Sequence, residues 1–228
     1  MIVQFENFEE IDAVYVFLDV RGFTQWSRSN PGDIRRLASL IYNIADEVFE
    51  SKADSKYKRR VVKNLGDGCF CVNEYRKDRL VRQSAVASFM GIFRYYQYFH
   101  AALRESNIHG KTALDLGFGT TYGASHRFYT RGQSLDYIGE KVNLASRLCG
   151  KAEKGQVVLE IEMKEHFLRA AESLGIHRPV VQTHAEEIKG YGRAEYASAQ
   201  LSFSQRILSR FYGMGYDRAY ISGLLHEL

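Results

Sequence analysis

No stretch of this chain is apolar for long enough to cross a membrane. The roughly 20 consecutive apolar residues that a span requires are nowhere approached, and the N-terminal Met1-Ile2-Val3-Gln4-Phe5-Glu6 lacks the basic start and apolar core of a secretion signal. A cytosolic protein with no direct membrane insertion is expected. Cysteine is scarce, with three in 228 residues. The number is odd, Cys69 and Cys71 alternate on a short apolar run, and Cys149 stands alone, so buried thiols are expected rather than disulfides or a metal knuckle. The histidines are scattered without ligand spacing. Charge is nearly balanced, with 31 basic against 27 acidic residues, and gives no argument for nucleic-acid binding. The basic concentrations at Lys52 to Arg60 and Arg76-Lys77-Asp78-Arg79 are either solvated faces or a means of steering a polyphosphate to a cleft. A glycine-rich dinucleotide fingerprint is missing as well: only Gly22 lies between the first strand and the first helix, which fits a parallel Rossmann sheet badly. No repeat, low-complexity tract or linker divides the chain.

The chain is 45% hydrophobic, enough for one sizeable core. Val14-Tyr15-Val16-Phe17-Leu18-Asp19-Val20-Arg21-Gly22-Phe23-Thr24 reads as a buried β-branched and aromatic strand ending in a carboxylate and a glycine turn. A helix is predicted from Asn30-Pro31-Gly32-Asp33, with Asn30 as cap and Ile34, Leu37, Ile41, Ile44 and Val48 on one stripe. Tyr57–Leu65 and Cys69–Asn73 are strands joined by the Gly66-Asp67-Gly68 turn. A long helix follows from about Asp78 to Glu105, then a strand over Lys111–Phe118, and a polar, aromatic loop or hairpin arm from Ala124 to Leu135. A helix carrying Val142, Leu144, Ala145 and Leu148 stops before Gly150. A strand at Gly155–Leu159, a helix at Ile161–Leu174 and two strands around Lys189-Gly190-Tyr191-Gly192 complete the body. Long helices interleaved with strands, including direct hairpins, predict an α+β fold with a mixed, mainly antiparallel sheet covered by helices. The division expected is a domain over residues 1–200 and an apolar helical extension over 201–228, packed on its own domain or on a partner chain.

Candidate chemistry gathers at four places. Asp19 ends a strand in an apolar context where a lone carboxylate needs a partner, and Asp67 sits at the tip of the next hairpin. If the first strand neighbours that hairpin, the two carboxylates converge as a hard-cation site; the alternative is two unrelated turn aspartates. Asn143 and Arg147, four apart, share a helix face; an amide and a guanidinium suit sugar and phosphate oxygens, or simply a solvated surface. Lys63 and Asp136 mean little singly.

Phe17–Thr24, Lys63-Asn64-Leu65-Gly66-Asp67-Gly68 and Asp136–Leu148 resemble, in order, the three signatures of the class III nucleotidyl cyclase catalytic domain, and Ile188-Lys189-Gly190 its later lysine–glycine element. The resemblance covers roughly residues 12–198. It implies a ferredoxin-like cyclase core in which Asp19 and Asp67, with the Val20 carbonyl, hold two divalent cations, Mg²⁺ or Mn²⁺. It also implies that Lys63 and Asp136 read the base of a nucleoside triphosphate substrate, that Asn143 positions the ribose, and that Arg147 supports the transferring phosphoryl group. Family sites lie across a head-to-tail homodimer, one chain giving the aspartates and the other the remaining residues. The reaction implied is conversion of a nucleoside triphosphate to its 3′,5′-cyclic monophosphate and pyrophosphate.

Hydrogen-bond logic leaves the base open, because a donor beside an acceptor complements an edge of every base. The compact layout resembles standalone bacterial pyrimidine cyclases of antiphage systems, and points to cyclic UMP acting on a separate cyclic-nucleotide-binding effector. Against that, the Lys63–Asp136 combination is the one found in adenylate-specific members. Cyclic AMP and cyclic CMP are the alternatives, and a nucleotide-binding regulatory homologue is the reading that involves no catalysis.

Overall fold

The computed structural model describes residues 6–49, 58–75, 81–129, 135–176 and 179–201. The expected extension at 201–228 lies outside these beyond Leu201, as do most of the basic stretch Lys52 to Arg60 and the stretch 76–80.

The strand carrying Asp19 is β1 (Glu6–Arg21), which starts before its apolar run and continues two residues past Asp19. Gly22, at φ 87°, turns the chain into α1 (Phe23–Ser29). A Cβ on Gly22 would lie 2.6 Å from the Ala113 carbonyl oxygen, so both the conformation and the space require glycine. Asn30 does not cap the following helix. Its amide instead donates to the Trp26 carbonyl at 2.9 Å, closing α1 from behind, and a short 3-10 turn at Pro31–Asp33 leads into α2 (Ile34–Phe49). The hairpin of β2 (Lys58–Asn64) and β3 (Gly68–Tyr75) forms as expected. It is followed by α3 (Val81–Glu105), β4 (Asp115–Tyr129) and β5 (Leu135–Ile138). Then come α4 (Glu140–Lys151), β6 (Gln156–Glu160), α5 (Lys164–Ser173), β7 (Val181–Ile188) and β8 (Gly192–Gln200).

The strands form one sheet in the order β2-β3-β1-β4-β6-β8-β7, with β5 added beside β4. Among the described residues only the β4–β6 pairing is parallel; the other pairings are antiparallel. This is the α+β architecture the sequence predicts. Helices α2, α3 and α5 cover one face, where Leu37, Ile41, Phe89, Phe93 and Phe167 are buried against Val14, Val16 and Leu18. Each such side chain contributes about 1.5–3 kcal/mol on burial. The fully buried Tyr95 keeps its hydroxyl satisfied by donating 2.9 Å to the Ile41 carbonyl. All three cysteines are free and buried.

The second face is covered more sparsely, and that sparseness positions the functional residues. Helix α4 lies on β4 with Val142, Leu144, Ala145, Leu148 and Cys149 buried. It reaches Lys151, so Gly150 falls within the helix rather than ending it. The approach is close: a Cβ on Gly119 would stand 2.0 Å from the Cys149 nitrogen and 2.2 Å from the Ala145 carbonyl oxygen. Of the stretch expected as a loop or hairpin arm, residues 124–129 form the far half of β4 and pair with β5 as a hairpin arm, and residues 130–134 lie outside the described residues. The arm folds over the sheet so that Tyr137 is buried against Phe70 in an edge contact, beside the stacked Phe17–Phe70 pair.

Candidate active site

Asp19 lies opposite Gly68 in the β1–β3 pairing, one residue from Asp67. The Val20 amide donates 2.9 Å to the Asp67 carbonyl, stitching the end of β1 to the hairpin turn. That turn is itself fixed. Gly66 adopts φ 87°, the Leu65 amide donates 2.7 Å to the Gly68 carbonyl, and the Tyr42 hydroxyl donates 2.7 Å to the Gly66 carbonyl. Gly68 permits the approach, since a Cβ there would sit 2.1 Å from the Leu18 carbonyl oxygen.

The two carboxylates are therefore neighbours, and their charges interact. Partial burial first, and the Asp67 carboxylate second, raise Asp19 above its ordinary value of 3.8, while Arg21 opposes the shift. Like-charged oxygens held together by backbone pairing accumulate negative potential, which suits a hard cation. Among the described residues, no cluster of three or more His, Cys, Asp or Glu side chains forms a metal site. A cation here would take two carboxylates, the adjacent Val20 carbonyl, and oxygens from water or a phosphate. The donor set fits Mg²⁺ or Mn²⁺. Cys149, although close to both aspartates, is pushed up to about 12 by burial and stays protonated.

Lys63 and Asp136 form an ion pair between β2 and β5. Asp136 is the more enclosed partner, and its other oxygen accepts the Tyr137 amide at 2.8 Å. The arm that brings Asp136 there is held by charges that sequence reasoning missed. Arg127 grips Glu74 through one nitrogen at 3.0 and 2.8 Å and also bonds Glu9. The Tyr137 hydroxyl donates 2.6 Å to Glu74. Only the position of Tyr137 beside Asp136 hints at this in sequence, because the partners come from three separate strands.

Asn143 and Arg147 are exposed on α4, opposite the face packed on the sheet. The Arg147 guanidinium comes near the turn between β7 and β8, 3.7 Å from where a Cβ on Gly190 would be. One chain thus gathers Asp19 with Asp67, Lys63 with Asp136, and Arg147 with the Lys189-Gly190 turn. Arg21, read in the sequence only as part of a polar turn, touches the first group: its guanidinium lies 2.9 Å from Asp19.

A family model described as the adenylate and guanylate cyclase catalytic domain matches residues 3–196. Among curated proteins, none matches the chain in sequence. Among solved structures, the adenylyl cyclase CyaB from P. aeruginosa is 17% identical, with a TM-score of 0.62 over 88% of this chain and 98% of that one. The guanylate cyclase domain of RhGC from Catenaria anguillulae in complex with GTP is 16% identical, with a TM-score of 0.56 over 84% of this chain and 98% of that one. A bacterial light-regulated adenylyl cyclase reaches 0.64 at 13% identity, over 97% of this chain and 58% of the other. At these identities the likeness establishes the fold. Among the described residues, no helix is long and apolar enough to cross a membrane.

Proposed function

The chain belongs to the adenylate and guanylate cyclase catalytic domain family, and on that premise we propose that it converts ATP to cyclic AMP and pyrophosphate in a head-to-tail homodimer. Formation of a cyclic nucleoside monophosphate is the family's reaction; the base is what this site has to select. The observation that carries ATP is the Lys63–Asp136 pair. Asp136 accepts from the exocyclic amine of adenine while Lys63 donates to the adjacent ring nitrogen. In the free protein the two satisfy each other; with nucleotide bound they exchange that contact for the base edge. The same pair complements uracil through its ring N–H and carbonyl. The resemblance that favoured cyclic UMP and a separate effector rested on layout, and the proteins of this fold named above are adenylyl and guanylyl cyclases. Adenine therefore leads.

Two divalent cations, as the family generally uses, would supply activation of the ribose 3′-hydroxyl and charge neutralisation at the triphosphate. Asp19, Asp67 and the Val20 carbonyl would hold them. Asn143 orients the ribose by its amide. Arg147 presents a fixed fork to the non-bridging phosphoryl oxygens as the 3′-oxygen bonds to the α-phosphorus and the bond to pyrophosphate breaks. No side chain has to become a covalent nucleophile. The two-chain arrangement is supported by exposure: Asn143 and Arg147 are both exposed on α4, open to another chain's aspartates. A symmetric dimer then carries two equivalent sites.

The test is incubation of the purified protein with each of ATP, GTP, UTP and CTP in Mn²⁺, followed by chromatography of cyclic products. Cyclic AMP is the expected major product. Cyclic UMP or cyclic CMP alone would overturn the base assignment, and no cyclic product from any substrate would leave a nucleotide-binding regulatory role.

A further inference from the structure

We infer that Arg21 is a positioning residue that couples cation binding at Asp19 to the C-terminal end of helix α4, the helix that carries Asn143 and Arg147; this rests on the cation site proposed above.

Arg21 ends β1 two residues after Asp19, on the same face of the strand. One terminal nitrogen lies 2.9 Å from Asp19 Oδ2. The other donates to the Cys149 carbonyl and lies 3.8 Å from the Cys149 sulfur. The guanidinium is seated rather than loose. It lies flat against Gly117 of β4, where an added Cβ would stand 2.4 Å from Nε and 2.8 Å from Nη2. Its Nε is buried without an acceptor among the described residues. The orientation is therefore set by the two terminal nitrogens, one on Asp19 and one on α4.

The carbonyl at the α4 end is a functional part of the helix. Cys149 oxygen also accepts the Ala152 amide at 3.0 Å, the bond that closes the last turn. The last carbonyls of a helix carry its negative pole, and a cation there stabilises the turn. Arg21 thus serves two anions at once, a carboxylate and a helix C-terminus. A divalent ion taking Asp19 removes most of the first attraction and repels the guanidinium from that side. Arg21 then bears more fully on Cys149, and the last turn of α4 tightens. In a dimer with shared sites, α4 presents Asn143 and Arg147 to the other chain's cations. The contact consequently links occupancy of one site to the stiffness of the helix serving its neighbour.

Hydrogen exchange of the full chain, with and without Mn²⁺ and in the absence of nucleotide, tests the coupling independently of turnover. In the wild type, Mn²⁺ should slow exchange in Val16–Arg21 and around Gly66–Gly68. It should also slow residues 148–153 by about two- to five-fold, the scale of a cation acting on a helix terminus. Arg21→Lys keeps the charge but cannot reach both partners. Gly117→Ala displaces the guanidinium from its seat while leaving the Asp19 side chain and the Cys149 carbonyl chemically intact. Since Gly117 pairs with Asp19 and its carbonyl accepts the Cys149 thiol, the retained response at Val16–Arg21 serves as its control. In each variant the first two segments should still respond and residues 148–153 should not. If the aspartate segments respond in the wild type while residues 148–153 stay unchanged, the coupling is wrong and the cation site stands. An undiminished α4 response in both variants removes Arg21 from the link. If no segment responds in the wild type, the cation site itself fails and the coupling with it.

Discussion

Lys63 and Asp136 meet as an ion pair across 73 positions of sequence, although β3 and β1 stand between β2 and the strand that β5 pairs with. They meet because the β4–β5 arm folds back over the second face of the sheet, held by Tyr137 against Phe70 and by the Arg127–Glu74 pair. The partially exposed pair is thus presented on the surface of a fixed arm. Lys63→Met and Asp136→Asn should each lower kcat/KM for ATP by about 10- to 100-fold, the equivalent of one charged hydrogen bond of about 1.5–3 kcal/mol. The melting temperature should barely move, because an exposed pair contributes only about 0–1 kcal/mol. Steady-state kinetics and thermal melts on the same preparations check both; a large loss of stability would make the pair structural.

Cation binding should show an acid limb set by Asp19. Burial and Asp67 hold its carboxyl above the ordinary 3.8, so the folded protein binds this proton more tightly than the unfolded chain does. Stability of the metal-free protein is therefore lost as pH rises from the ordinary value through the raised one, and the penalty is complete above it. Asp19→Asn should be more stable than the metal-free wild type at neutral pH, with the difference vanishing in acid. Mn²⁺ should raise the melting temperature of the wild type, less so as pH falls through the raised value, and not that of the variant. Urea melts and Mn²⁺ titrations between about pH 4 and pH 8 measure this.

Shared sites predict rescue between defective chains. Asp19→Ala and Arg147→Ala homodimers should each lose nearly all turnover. A mixture with demonstrated subunit exchange should regain activity, because one of the two heterodimer sites draws both intact residues. Turnover that stays at background despite exchange would place Asp19 and Arg147 in the same site of one chain.

Gly119→Ala should act at a distance. Its Cβ would meet the α4 backbone at Cys149 and Ala145, so the helix must shift bodily. Overpacking of this kind costs about 1–3 kcal/mol, and the displacement carries Asn143 and Arg147 with it. Activity should fall by more than the loss of folded protein explains, as activity normalised to the folded fraction will show.

The elements with strong periodicity are legible in the sequence. The Asp19 strand, the Gly66-Asp67-Gly68 hairpin and the stripe of α2 all lie where local pattern puts them, because one buried face imposes a period of two or of 3.6 residues. The reach of α4 through Gly150 to Lys151 was not legible, since packing on β4 outweighs the modest cost of glycine in a helix. The second role of Asn30, closing α1 rather than opening α2, depends on where Trp26 happens to fall. Neither can be read from spacing.

For the site, the sequence by itself determined the donor types and their grouping along the chain: one aspartate towards the end of a strand and one at a hairpin tip, a lysine and an aspartate, and an amide and a guanidinium one helical turn apart. Those are set by covalent order and local periodicity. Only the tertiary structure decided that Asp19 lies beside Asp67, that Asp136 lands on Lys63, and that Arg21 joins Asp19 to Cys149. Each of these depends on strand order, on the curl of the β4–β5 arm, or on a glycine that leaves room for a neighbour. They are interactions between segments far apart in sequence, and short-range pattern carries no information about them.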